Sequence, residues 1–335
     1  MSPNASRPLV LVLFAAACSR PPDPVASAVS SASASTAASV AAPVASSPGP
    51  ASAAGGGAPA ATPTVGFDAS ATTTSTACAA PAPLACRRFA KTEDAFTAIL
   101  AESPLVLAIG EAHAQKGTEG IASATKRFTD SFVPLLGDRA SDLLLEAWAG
   151  DPRCQKEVKT VASAQAPVKQ AQAESNPNEY VAMGTRAKGL GIQPHLLRPS
   201  CPDYAGLADA GADVIPASLA LIKRLTQADA TTLVRRNLDA KNGKLVVTYG
   251  GAMHNDVVPS EKLKDYSFGP ALLEETKGRY VELDLIVPEY VKKNEVWEKL
   301  PWFAAWQADT GPKDRTTVCR LGKNSFVLIF PSATK

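Results

Sequence analysis

Apolar and polar positions alternate between two rhythms from Thr92 onward. TEDAFTAILAES spaces its apolar residues three and four apart behind a capping threonine and two acids, which predicts a helix that Pro104 closes. PLVLAIG then runs unbroken and apolar, the pattern of a strand buried on both faces. The pairing recurs: GIASATKRFTDSFVPLLG precedes SDLLLEAW, NEYVAMGTRAKGLG precedes GIQPHLLRP, ADATTLVRRNLDAKNG precedes KLVVTYGGAMH, and FGPALLEETKG precedes RYVELDLIV. Helices alternating with strands predict an α/β domain with a mainly parallel sheet flanked by helices. TTVCRLGKNSFVLIF breaks the rhythm, and its two strand-like runs around GKN predict a C-terminal β-hairpin at a sheet edge. No internal repeat is visible.

The N-terminal part follows neither rhythm. Residues 1–18, MSPNASRPLVLVLFAAAC, combine Arg7, an apolar stretch from Leu9 to Ala17 and small residues ending at Cys18. That stretch is too short for a stable transmembrane helix, so a cleaved export signal is expected. AAAC resembles a bacterial lipobox, with Ala15 where the pattern has Leu, and would make Cys18 the lipid-bearing first mature residue. Plain secretion with Cys18 removed is the alternative. Residues 19–84 are dominated by Ala, Ser, Pro, Thr and Gly, with Asp23 and Asp68 as their only acids and Phe67 as their lone aromatic, too poor in large apolar side chains to offset the entropy of ordering. They predict a disordered N-terminal tether, leaving 86–335 as a single folded domain. The expected location is the bacterial cell envelope, with a lipid anchor in the outer membrane and the domain in the periplasm or at the cell surface.

A net charge of +2 over 335 residues gives no case for nucleic acid as partner. Six cysteines in an exported chain suggest disulfides. With Cys18 lipidated, five remain; Cys154–Cys201 and Cys78–Cys86 are the expected pairs, although sequence does not fix connectivity. No CxxC pair points to metal.

The chain's three histidines are placed with economy. His113 follows the first strand, His195 ends the third and His254 follows the fourth, while Glu146 ends the second. Ligands in open α/β sheets bind at the carboxyl ends of the strands, so all three imidazoles would share one edge. Glu111 and His113, two apart in extended chain, can aim at one point. Glu111, His113, Glu146, His195 and His254 are therefore the candidate ligands of a divalent metal. Gly110, Gly250 and Gly251 would permit the close approach such a site needs. Separately, each histidine could be an ordinary hydrogen-bonded residue, and Glu146 could pair with Arg198. GxSxG, HExxH and phosphate-loop patterns are absent.

"AIGEAHA", "LLLEAW" and "TYGGAMH", with "YSFGPALLEE" after the last histidine, resemble the superfamily that groups ChaN-like haem-binding lipoproteins, erythromycin-esterase-like hydrolases and Tiki/TraB metalloprotease-like proteins. The resemblance spans roughly Leu105 to Val287 in sparse motifs. Its polar site would fall on Glu111, His113, Glu146 and His254; His195 matches no family motif. Two activities are implied. One is metal-dependent hydrolysis of an ester or peptide bond in a small-molecule or peptide substrate, with Glu111 or Glu146 as general base and Arg198 or Tyr249 stabilising oxyanion charge. The other is binding of haem or another ligand without catalysis.

Overall fold

In the computed structural model, which describes Val10–Leu11 and residues 75–78, 80 and 84–332, the apolar runs become the strands of one sheet. The proposed signal peptide (Val10–Leu11 apart), Cys18 and nearly all of the 19–84 tether lie outside these residues. The strands are β1 (Ser75–Ala77), β2 (Ala85–Phe89), β3 (Val106–Glu111), β4 (Ala140–Ala149), β5 (Gln193–Leu197), β6 (Leu245–Gly251), β7 (Tyr280–Ile286), β8 (Thr316–Gly322) and β9 (Ser325–Ile329). Their spatial order is β5-β4-β6-β3-β7-β9-β8-β2-β1. From β5 to β9 all neighbours are parallel; β9-β8-β2-β1 are antiparallel. Val10–Leu11 also pairs, antiparallel, with Trp148 and Ala149 of β4.

The expected α/β architecture is thus present, and the hairpin β8–β9 extends the parallel set beyond β7. Its outer edge is covered by β2 and β1, which the sequence did not announce as strands. Ser75–Ala77 falls inside the stretch assigned to the tether, yet pairs with Arg87–Phe89.

The unbroken apolar runs are explained by burial on both faces. All six residues of β3 are buried. Leu107 and Ile109 join one core with Phe96, Phe128, Phe132 and Tyr180, whereas Val106 and Ala108 join another with Val234, Phe268 and Leu272. The first face is covered by helices Thr92–Leu100 and Asn176–Gly189 and by helical turns between Ala124 and Leu136. The second is covered by the 26-residue helix Val214–Asp239 and by Gly269–Glu275. No single described helix is long and apolar enough to cross a membrane.

Cys154 and Cys201 form the expected disulfide. Cys86 does not pair with Cys78: it is bonded to Cys319, and Cys78 is a free thiol. The reason is register, because Cys86 and Cys319 stand directly opposite each other on neighbouring antiparallel strands.

Candidate functional site

The carboxyl ends of β3, β4 and β6 bring together four of the residues singled out above, from two sides. Glu111 continues the Leu107–Ile109 face of β3, with 1% of its surface exposed. Its Oε1 lies 2.8 Å from His113 Nδ1, and its Oε2 accepts a 2.7 Å hydrogen bond from the Tyr249 hydroxyl. Thr125 Oγ1 sits 2.9 Å from both oxygens, and the Tyr180 hydroxyl reaches Oε1 at 3.5 Å. Burial, and then the Glu111 charge, push the Tyr180 and Tyr249 hydroxyls well above their ordinary range, which keeps both as donors. Glu111 is therefore engaged behind His113 and is not free to act as a direct ligand. Its carboxylate fixes the imidazole with Nδ1–H inward and Nε2 outward, a usual arrangement for a ligand or base histidine. Tyr249 serves Glu111 and is not presented to a substrate.

Glu146 approaches from the other face. The β4–β5 register shifts between Leu145 and Trp148, and such a bulge re-aims the side chains within it. Glu146 then lies across β6, where Oε2 accepts a 2.7 Å hydrogen bond from the Gly251 N–H. Gly250 makes this possible: a Cβ there would stand 2.2 Å from Glu146 Oε2 and 2.8 Å from Glu146 Cβ. Gly250→Ala is accordingly expected to expel the Glu146 side chain and destabilise the fold by ~2 kcal/mol or more, read as a lowered urea midpoint.

His254 sits in the turn after β6. Its Nδ1 lies 2.8 Å from the Tyr266 carbonyl oxygen, so this nitrogen is the donor, and in the neutral imidazole Nε2 presents a lone pair. That Nε2 is 3.7 Å from Glu146 Oε1. Neither atom has a hydrogen-bond partner, although the residues are only 1% and 4% exposed. Both line a small, partly open cavity of about 10 Å³, room for a single water or monatomic ion. Two further buried atoms without a partner, Thr248 Oγ1 and Asn255 Oδ1, belong to residues lining the same cavity. His113 stands across Gly251: a Cβ on that glycine would lie 3.4 Å from His113 Nε2, 3.7 Å from Glu146 Oε2 and 3.9 Å from His254 Cδ2.

The structure places His195 elsewhere. Its Nε2 lies 2.7 Å from Oδ1 of the fully buried Asp142, whose other oxygen is held by Arg236. Depressed by the hydrogen bonds that outweigh burial, the Asp142 carboxyl stays below the ordinary range. His195 and Arg198 line a separate, open groove of about 690 Å³ along the β5 edge, and Arg198 is exposed. Sequence reasoning missed Thr125, Tyr180 and Tyr266, which arrive from elements with no motif of their own. Asn255, next to His254 in the HND triplet, was within sight.

Among the described residues, one cluster of three His, Cys, Asp or Glu has all its donor atoms within 4.8 Å of one another: Asp151, Cys154 and Cys201. Its two sulfurs are bonded to each other, which removes it as a metal site. No family model, curated protein or solved structure matches the chain.

Proposed function

We propose that the chain is an exported, lipid-tethered envelope protein that holds one divalent metal ion at Glu146 and His254 and uses it to hydrolyse an ester or peptide bond. One observation carries the reading: Glu146 Oε1 and His254 Nε2, both buried and neither hydrogen-bonded to another group of the chain, face each other across 3.7 Å beside an atom-sized cavity. With the carboxylate ionised and the imidazole neutral, two lone pairs meet there, and burying them unpaired is costly. A cation removes that cost. Donors at about 2.1 Å in tetrahedral array stand roughly 3.4 Å apart, close to the spacing seen. The two disulfides suit an oxidising compartment.

When bound, the metal would polarise the scissile carbonyl and lower the pKa of its water. The chain's own groups supply the rest. His113, held by Glu111, presents Nε2 beside Gly251 as the proton acceptor, and Tyr249 and Thr125 fix Glu111 in turn. The resemblance to ChaN-like, erythromycin-esterase-like and Tiki/TraB proteins agrees with such a site. Haem fits less well, because the space beside His254 is about 10 Å³.

Protein purified without an affinity tag is expected to carry about one divalent metal per chain and to cleave model esters or peptides. Chelation should abolish the cleavage, metal should restore it, and haem should give no Soret shift. Metal-free protein with undiminished activity would overturn the proposal.

A further inference from the structure

Three cysteines form a row across the antiparallel end of the sheet, far along the strand order from the candidate metal site. Cys86 on β2 stands directly opposite Cys319 on β8, with Cα atoms 4.1 Å apart and the disulfide between them. On the other side of Cys86, the β1–β2 register runs through Ala77↔Arg87, and the Cys78 N–H donates to the Cys86 carbonyl at 3.0 Å. Cys78 is therefore the next residue in register. Directly opposed residues of antiparallel strands project to the same face. All three cysteines accordingly pack with the same apolar group, which includes Trp302, Val327 and Ile329. Cys86 stands between two sulfurs and is bonded to one.

We propose that Cys86 is the pivot of an internal disulfide exchange, alternating between Cys319 and Cys78. In the forward step Cys78 gives up its proton and its thiolate attacks Cys86 Sγ. The Cys78–Cys86 bond forms as the Cys86–Cys319 bond breaks, and Cys319 leaves as a thiolate that takes up a proton. Sulfur oxidation is conserved, so no outside oxidant or reductant is consumed. Successive strands lie about 4.8 Å apart, which puts the attacking and leaving sulfurs on opposite sides of the central one.

The two bonded states differ in what they fasten. Cys86–Cys319 joins positions 233 residues apart and ties β2 to the C-terminal hairpin. Cys78–Cys86 would release the hairpin and lock β1, the strand that follows the N-terminal tether region, onto β2. Protonation sets the rate. Burial pushes the Cys78 thiol up to about 11; Arg88, Arg87 and Lys313 pull it down, and Asp309 pushes it up. Thiolate is scarce at neutral pH, so the Cys86–Cys319 form persists there.

The test uses the full chain, native and without added thiol. It is incubated at pH 7, 8 and 9, alkylated, and mapped by mass spectrometry. The expected result is labelled Cys319 together with a Cys78–Cys86 peptide, appearing about tenfold faster per pH unit, and no Cys319 labelling in Cys78→Ser. In Cys319→Ser treated with oxidised glutathione, which takes up the two electrons, Cys78 and Cys86 should become linked, with Cys154–Cys201 unchanged. Wild-type Cys319 as protected at pH 9 as in Cys78→Ser, or Cys78 and Cys86 both alkylatable in oxidised Cys319→Ser, would overturn the proposal.

Discussion

A Glu146→Gln protein is expected to lose its metal and yet to unfold at a higher temperature than metal-stripped wild type. The two effects have one cause. In the stripped protein Glu146 Oε2 is satisfied by the Gly251 N–H at 2.7 Å, while Oε1 faces His254 Nε2 at 3.7 Å and neither of the two has a hydrogen-bond partner. Glutamine keeps an oxygen on the Gly251 N–H and turns its amide N–H toward His254, converting two orphaned acceptors into a hydrogen bond. Removing such a defect is worth ~1–3 kcal/mol, or a Tm rise of about 2–10 °C in a domain of this size. The same change deletes the anionic ligand, so metal affinity should fall by ~100-fold or more. Thermal melts in chelator, paired with metal titrations, read both. A variant that melts below stripped wild type and still binds metal would remove the basis for the site.

The second large effect concerns pH. Glu282 on β7 is 2% exposed, accepting hydrogen bonds from the Val257 N–H at 2.7 Å and the Ser325 hydroxyl at 3.0 Å. Burial, with Asp284 and Asp256 nearby, pushes its carboxyl up to about 9, and burial pushes Asp284 up to about 7. Unfolded, both groups release their protons in the ordinary carboxylate range near 4. Between that range and their folded values the native state holds more protons than the unfolded state, so stability must fall as pH rises. The decline should begin near pH 4 and continue to about pH 9. Glu282→Gln can keep both hydrogen bonds, its oxygen on Val257 and its amide on Ser325. It should therefore flatten the decline and be the more stable protein at pH 8–9, as read from urea unfolding across pH 5–9. Parallel profiles for the two proteins would show that Glu282 does not hold a proton in the fold.

The core of this fold was written plainly in the chain. PLVLAIG, LLLEAW and KLVVTYGG read as strands because both faces of each are covered, and that leaves an apolar run with no interruption. β2, with ACRRF, was hidden because it carries two arginines, held by the Ser75 and Asp309 side chains, so its polarity resembles a loop. The site was legible in location but not in roles. The rule that strand ends converge placed Glu111, His113, Glu146 and His254 together. It could not show that alternation along β3 and β4 sends Glu111 and Glu146 to opposite faces, one to hold a histidine and the other to face one. His195 satisfied the same rule, yet its partner Asp142 is buried beside it on β4, and no sequence pattern connects the two.

The most direct measurement is anomalous diffraction from crystals of the tag-free protein, recorded above and below the absorption edge of the metal found in solution. The account predicts one strong peak about 2.0–2.2 Å from both Glu146 Oε1 and His254 Nε2, absent in Glu146→Gln. A cavity holding only a water-like peak without anomalous signal, or a metal bound elsewhere on the chain, would contradict it.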